Sequence, residues 1–90
     1  MTEQKKVLMI TKQFCPYCVR AKAVLDHALD GKYNDQIETV VREKDEARFN
    51  VLKDKYQFLT VPTFVDLSTG KTLSDSKEET ITPFMKEALG

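Results

Sequence analysis

Tryptophan is absent from the 90 residues, glycine and proline number three each, and cysteine only two. So little Gly and Pro leaves no flexible or Pro-rich linker, and no repeat or low-complexity tract divides the chain, so one continuous domain over residues 1–90 is expected. Charge of one sign is also lacking: 14 Lys and Arg stand against 14 Asp and Glu. A neutral chain has no broad field for a polyanion, which argues against nucleic-acid binding as the main task. The N-terminal apolar run Val7-Leu8-Met9-Ile10 is far too short for a bilayer span or a signal-peptide core, and a cytoplasmic protein is expected. Two cysteines three residues apart close too small a loop to staple a fold, so a structural disulfide framework is excluded.

What is present reads as alternating strands and helices. Lys5 to Thr11 is an aliphatic run bounded by polar residues, suited to a strand buried on both faces. Pro16 can open a helix in which Ala21, Val24, Leu25, Ala28 and Leu29 recur at helical spacing, with Asp30-Gly31 as its stop, giving a helix from about Cys15 to Asp30. Gln36 to Arg42 is β-branched and predicts a second strand, parallel to the first. Asp45 is a candidate cap for a helix carrying Phe49, Leu52 and Tyr56 on one stripe. Pro62 to Leu67 reads as a third strand, Ser68-Thr69-Gly70 as a turn and Lys71 to Ser74 as a short fourth strand. Ile81, Phe84, Met85, Ala88 and Leu89 predict a last helix from about Thr80 to Leu89, with Pro83 in its first turn. The class is α/β in the order β-α-β-α-β-β-α, a four-stranded mixed sheet flanked by three helices.

Cys15-Pro16-Tyr17-Cys18 sits where the first strand passes to the first helix. That places Cys15 at the positive end of the helix dipole, where a thiolate is stabilised, and the thiolate is the nucleophile of disulfide exchange. Cys18, one turn further and toward the body of the domain, is placed to resolve a mixed disulfide. Pro16 surrenders an amide that would lack a helical partner anyway. Two alternatives stand beside this. A zinc site needs two more ligands, and His27, a partly exposed helix residue with no assigned role, has no metal-ligand spacing, so no metal is expected. Two inert buried cysteines suit a strand-to-helix junction poorly. Arg20 and Lys22 read as solvated charges, whereas Lys12 precedes the nucleophile and is either another surface charge or a group that favours the thiolate and meets an anionic substrate. Tyr17 cannot easily point into the core, which suits a ring that packs on substrate. The second constellation is Thr60-Val61-Pro62. Its proline is either a strand-edge device or, if cis, a bond that frees the Val61 backbone to pair with an extended peptide.

Together, Thr11-Lys12-Gln13-Phe14-Cys15-Pro16-Tyr17-Cys18-Val19-Arg20-Ala21-Lys22 and the later Thr60-Val61-Pro62 resemble a dithiol glutaredoxin. The resemblance implies the minimal thioredoxin fold, a cis bond before Pro62, a redox-active Cys15–Cys18 disulfide, glutathione as co-substrate, and glutathione contacts by Lys12, Tyr17 and the Val61 backbone. Glutaredoxins of this type usually carry a Gly-Gly pair and then an acid before the last helix, where glutathione's γ-glutamyl end is held. Here Leu73-Ser74-Asp75-Ser76-Lys77-Glu78 occupies that stretch. Ser74, Asp75 and Ser76 are therefore the candidates for that contact, through hydroxyls, free amides and the Asp75 carboxylate.

The leading expectation is a glutathione-dependent thiol–disulfide oxidoreductase, monomeric, that reduces protein disulfides and glutathione mixed disulfides. The alternative keeps the chemistry and changes the electron source: a glutaredoxin-like redoxin reduced by thioredoxin reductase and feeding ribonucleotide reductase. A third reading, an iron–sulfur carrier using the first cysteine and glutathione, is disfavoured by the rigid Pro16 and by Cys18. A purely structural or adaptor role predicts that Cys15→Ser leaves function intact.

Overall fold

A computed structural model describes residues 5–90, so the single domain expected over residues 1–90 reaches four residues beyond them. Its strands are β1 (Val7–Thr11), β2 (Ile37–Val41), β3 (Thr63–Asp66) and β4 (Thr72–Leu73), and its α-helices are α1 (Pro16–Ala23), α2 (Glu46–Tyr56) and α3 (Glu78–Leu89). The sheet order is β2-β1-β3-β4. β1 runs parallel to β2 and antiparallel to β3, and β3 and β4 form an antiparallel hairpin. This is the mixed four-stranded, three-helix architecture expected from the residue pattern.

The five residues of β1 are all buried because strands flank it on both sides and helices cover both faces. Alternation along β1 and β3 divides the core. Val7, Met9 and Phe64 pack with Ala21, Leu25, Ile81 and Met85 from the side of α1 and α3. Leu8, Ile10, Val40 and Val65 pack with Phe49 and Leu52 of α2 and with Phe58. Full burial of each such side chain stabilises the fold by about 1.5–3 kcal/mol, so the two layers hold the sheet and with it both cysteine-bearing and proline-bearing loops.

Four details differ from the residue pattern. The first helix is α-helical only to Ala23; Val24–Ala28 is a π-helical turn, with Leu29 N donating to Val24 O at 3.0 Å. Val24, Leu25 and Leu29 all join the buried cluster in this wider register, so tertiary packing overrides the α-helical spacing. Asp45 occupies the N-cap position of α2 without a side-chain capping bond; its charge acts on Arg48 instead. The last helix begins two residues early, at Glu78, because Asp75 Oδ1 accepts from Ser76 N at 2.7 Å and Lys77 N at 3.3 Å and starts the turn sooner. Pro83 consequently lies inside α3 rather than in its first turn. Strand ends are also shorter: β3 begins at Thr63 rather than Pro62, and β4 holds only Thr72–Leu73.

Candidate active site

β1 delivers the chain to the exposed Lys12, and the loop that follows is fastened from below: Gln13 N donates to Glu43 Oε1 at 2.8 Å. That bond, with Arg42 and Lys12 nearby, holds the Glu43 carboxyl below its ordinary pKa, so it stays ionised and keeps its grip on the loop. Phe14 takes a left-handed backbone at φ 55°, unusual for an aromatic residue, and turns the chain into α1. Its ring is 97% exposed.

Cys15 is the N-cap residue of α1, with extended backbone angles, and Pro16 takes the first helical position. Cys15 Sγ accepts a hydrogen bond from Cys18 N at 3.1 Å, and the first α-helical bond runs from Val19 N to Cys15 O. Both sulfurs are joined in a disulfide across a Cα–Cα distance of 5.2 Å. Cys15 and Cys18 are 4% and 7% exposed, so both are largely covered. In the reduced protein the same Cys18 N–H and the dipole of α1 favour a thiolate on Cys15. Tyr17, between them, is 63% exposed, as its first-turn position suggested.

The second constellation reaches the same point. The Val61–Pro62 bond is cis, as the resemblance implied, and Val61 O lies 3.9 Å from Cys15 Sγ, a contact across 46 residues. Val61 precedes β3, so its backbone groups stand outside the sheet ladder, available for a ligand to pair with. Thr60 is exposed and its carbonyl accepts from Thr63 Oγ1 at 2.7 Å. Beside it lies a depression of about 180 Å³, lined by Lys12, Arg42 and Lys53 together with Thr60 and Val61. Three cations around a small hollow next to the redox sulfur suit a carboxylate-bearing thiol.

The segment before α3 is tied to this site less directly. Ser74 Oγ is 2.8 Å from Thr63 Oγ1. Asp75 spends one oxygen on the amides of Ser76 and Lys77, and the Ser76 amide is the main reason its pKa is lowered. Ser76 is buried. Ser74 is exposed although its hydroxyl is paired with Thr63, and Asp75 is half-buried. Glu43, Thr63 and the exposed Leu59 were not singled out from the residue pattern; Leu59, 90% exposed immediately before Thr60, was the one legible signal, a large apolar residue beside a proline loop. Among the described residues no group of three or more His, Cys, Asp or Glu side chains is arranged to hold a metal ion.

The family model described as glutaredoxin matches residues 7–66, which includes both constellations. No curated protein matches the chain in sequence. Among solved structures, the thioredoxin-like protein BC3987 is 28% identical with a TM-score of 0.68, the match covering 87% of this chain and 97% of that one. Thioredoxin f from spinach chloroplast, short form, is 21% identical with a TM-score of 0.63, over 97% of this chain and 80% of that one. Oxidised thioredoxin from Plasmodium falciparum is 12% identical, again with a TM-score of 0.63, over 96% and 84%. The last two likenesses carry the fold alone.

Proposed function

This chain belongs to the glutaredoxin family, whose members are thiol–disulfide oxidoreductases, and on that footing we propose that it draws its electrons from glutathione. The observation that carries the reading is the convergence of the two constellations: Cys15 Sγ sits at the N-terminus of α1, 3.1 Å from Cys18 N, and faces Val61 O at 3.9 Å. A peptide-like thiol lying along Val61 has its sulfur at Cys15 and a carboxylate within reach of Lys12, Arg42 and Lys53.

In the reaction the Cys15 thiolate attacks a substrate disulfide. One sulfur–sulfur bond forms to Cys15 as the substrate's bond breaks, and the departing thiolate takes a proton. With a protein disulfide, the Cys18 thiolate then attacks Cys15 Sγ, releasing the second substrate thiol and leaving the Cys15–Cys18 disulfide seen here. Two glutathione thiols reduce that disulfide and leave as glutathione disulfide. With a glutathionylated protein, Cys15 accepts the glutathionyl group and a second glutathione removes it.

Lys12, Tyr17, the Val61 backbone, Thr60 and Pro62 form the contact surface for glutathione in this reading, and Ser74, Asp75 and Ser76 stand where its γ-glutamyl end falls. Asp75 Oδ2 and the Ser74 hydroxyl take the place of the close-approach glycines. The protein acts as a monomer in the cytoplasm. A second reading changes the electron source to thioredoxin reductase, with ribonucleotide reductase as acceptor. It is favoured by one observation, that Asp75 and Ser76 are committed to starting α3 in a segment without glycine.

The test is NADPH consumption during turnover of a small glutathione mixed disulfide, with glutathione and glutathione reductase in one arm and thioredoxin reductase in the other. Turnover in the first arm is expected. Turnover only in the second overturns the glutathione assignment and establishes the alternative.

A further inference from the structure

β2 ends the sheet on one side, and among the described residues no strand pairs with its outer edge. The ladder fixes which groups that edge presents. Gln36 O accepts from Lys6 N and Arg42 N donates to Thr11 O, so even-numbered residues of β2 face β1 and Ile37, Thr39 and Val41 turn their backbone groups outward. Ile37 N bonds to Asn34 O, and Val41 O accepts from Lys44 N and Asp45 N. Among the described residues, Ile37 O, both backbone groups of Thr39 and Val41 N are left open.

Beneath this edge lies a second hollow, about 580 Å³, between the sheet and α1 with its π-helical extension. Its walls are chiefly apolar, with Met9, Val19, Leu25, Ile37 and Val41 among them, and Cys15 and Cys18 line it as well. From Cys15 to Asp26 it follows about 16 Å of helix, the length of roughly five residues of extended chain. Lys12 stands near the disulfide and Lys22 along the wall; the one acid, Asp26, already accepts from Asn34 Nδ2 at 2.7 Å. The hollow is thus apolar in its walls and positive toward the redox sulfurs. The depression beside Val61 is a separate feature, although Lys12 borders both.

Resting on the oxidoreductase reading above, we infer that this groove and the β2 edge together dock protein substrates. The occupant is an extended segment, apolar at alternate positions, with an acidic residue beside its cysteine, that joins β2 as a fifth strand. Main-chain bonds to Thr39 supply affinity, every second side chain enters the groove, and the acid meets Lys12. The disulfide lies in the groove wall, so the docked cysteine arrives at Cys15 while the Val61 side remains open to glutathione.

The test uses a glutathionylated peptide of sequence Glu-Cys-Thr-Val-Thr-Leu-Thr, in which Cys, Val and Leu share one face of the strand, the same peptide with Lys in place of Glu, and a small glutathione mixed disulfide without a peptide. Thr39→Pro removes the outward N–H at a position where an edge strand tolerates proline, and Thr39→Lys places an ammonium over the groove while keeping the backbone. Thr39→Pro is expected to lose about tenfold in kcat/KM for the acidic peptide, the scale of one or two missing hydrogen bonds, Thr39→Lys to lose rate by obstructing the groove, and both to stay within about twofold on the small disulfide. The Lys peptide is expected to be the poorer substrate of the wild-type protein. Equal rates of variant and wild type on the acidic peptide overturn the proposal. A non-reactive peptide with Ser for Cys separates the two readings: docking requires amide shifts at Thr39 and Val41 on titration, whatever the turnover. Missing shifts overturn the groove assignment alone, whereas a wild-type protein that binds the peptide but reduces neither disulfide overturns the oxidoreductase reading.

Discussion

Thr63 Oγ1 lies 2.8 Å from Ser74 Oγ and donates to Thr60 O at 2.7 Å, so a single buried hydroxyl joins the proline loop to the segment before α3. With its proton given to Thr60 O, Thr63 accepts from Ser74. The two parts of the proposed glutathione surface are therefore held at a fixed separation by one side chain at the start of β3.

Thr63→Val keeps the shape and removes both bonds, leaving Thr60 O and Ser74 Oγ without this partner. A loss of about 1–3 kcal/mol is expected in urea unfolding. KM for glutathione is expected to rise more than kcat falls, because the hydroxyl positions the surface and touches no reacting atom. An unchanged KM in a folded variant would show that the two segments keep their separation without it.

The coupling was not legible from the residues. Cys15-Pro16-Tyr17-Cys18 could be read directly because four adjacent residues carry the chemistry, and the Val61 backbone because a proline marks it. Thr63 and Ser74 are eleven residues apart and meet only through the β3–β4 register that pairs Phe64 with Leu73. Glu43 reaches Gln13 across 30 residues by the parallel pairing of β1 and β2. The strand and helix order was legible because period and turn chemistry are local. The π-helical turn was hidden for the opposite reason: Asp30-Gly31 marks where the helical segment stops but says nothing of the register within it.

Asp66 ends β3, buried, and its Oδ1 accepts from Ser68 N at 3.0 Å and Ser68 Oγ at 2.7 Å. Burial alone raises its pKa, but the bonds from Ser68 and Thr69 outweigh it and the folded value is lowered. A lowered carboxyl pKa contributes stability in full above the unfolded value of about 3.9 and loses it as pH falls through the folded value. Wild type should therefore lose stability more steeply than Asp66→Asn in urea titrations below about pH 4. Parallel curves would place the acid sensitivity elsewhere.

Pro83 is exposed within α3, where it supplies no N–H to the carbonyl four residues before it. Pro83→Ala restores that bond without changing a buried contact. A gain of about 1–3 kcal/mol in thermal or urea unfolding is expected, with oxidoreductase turnover unaltered. A loss of stability would mean that the ring packs more usefully than its exposure indicates.

The most direct test of the account is to trap glutathione on the enzyme. Cys18→Ser, incubated with glutathione disulfide and analysed by mass spectrometry after peptide mapping, should carry one glutathione on Cys15 and still turn over glutathionylated substrates while failing on protein disulfides. Cys15→Ser should carry none and do neither. An adduct on Cys18 in the Cys15→Ser protein together with retained turnover, or no adduct on Cys15 in Cys18→Ser, would contradict the assignment of Cys15 as the nucleophile that glutathione serves.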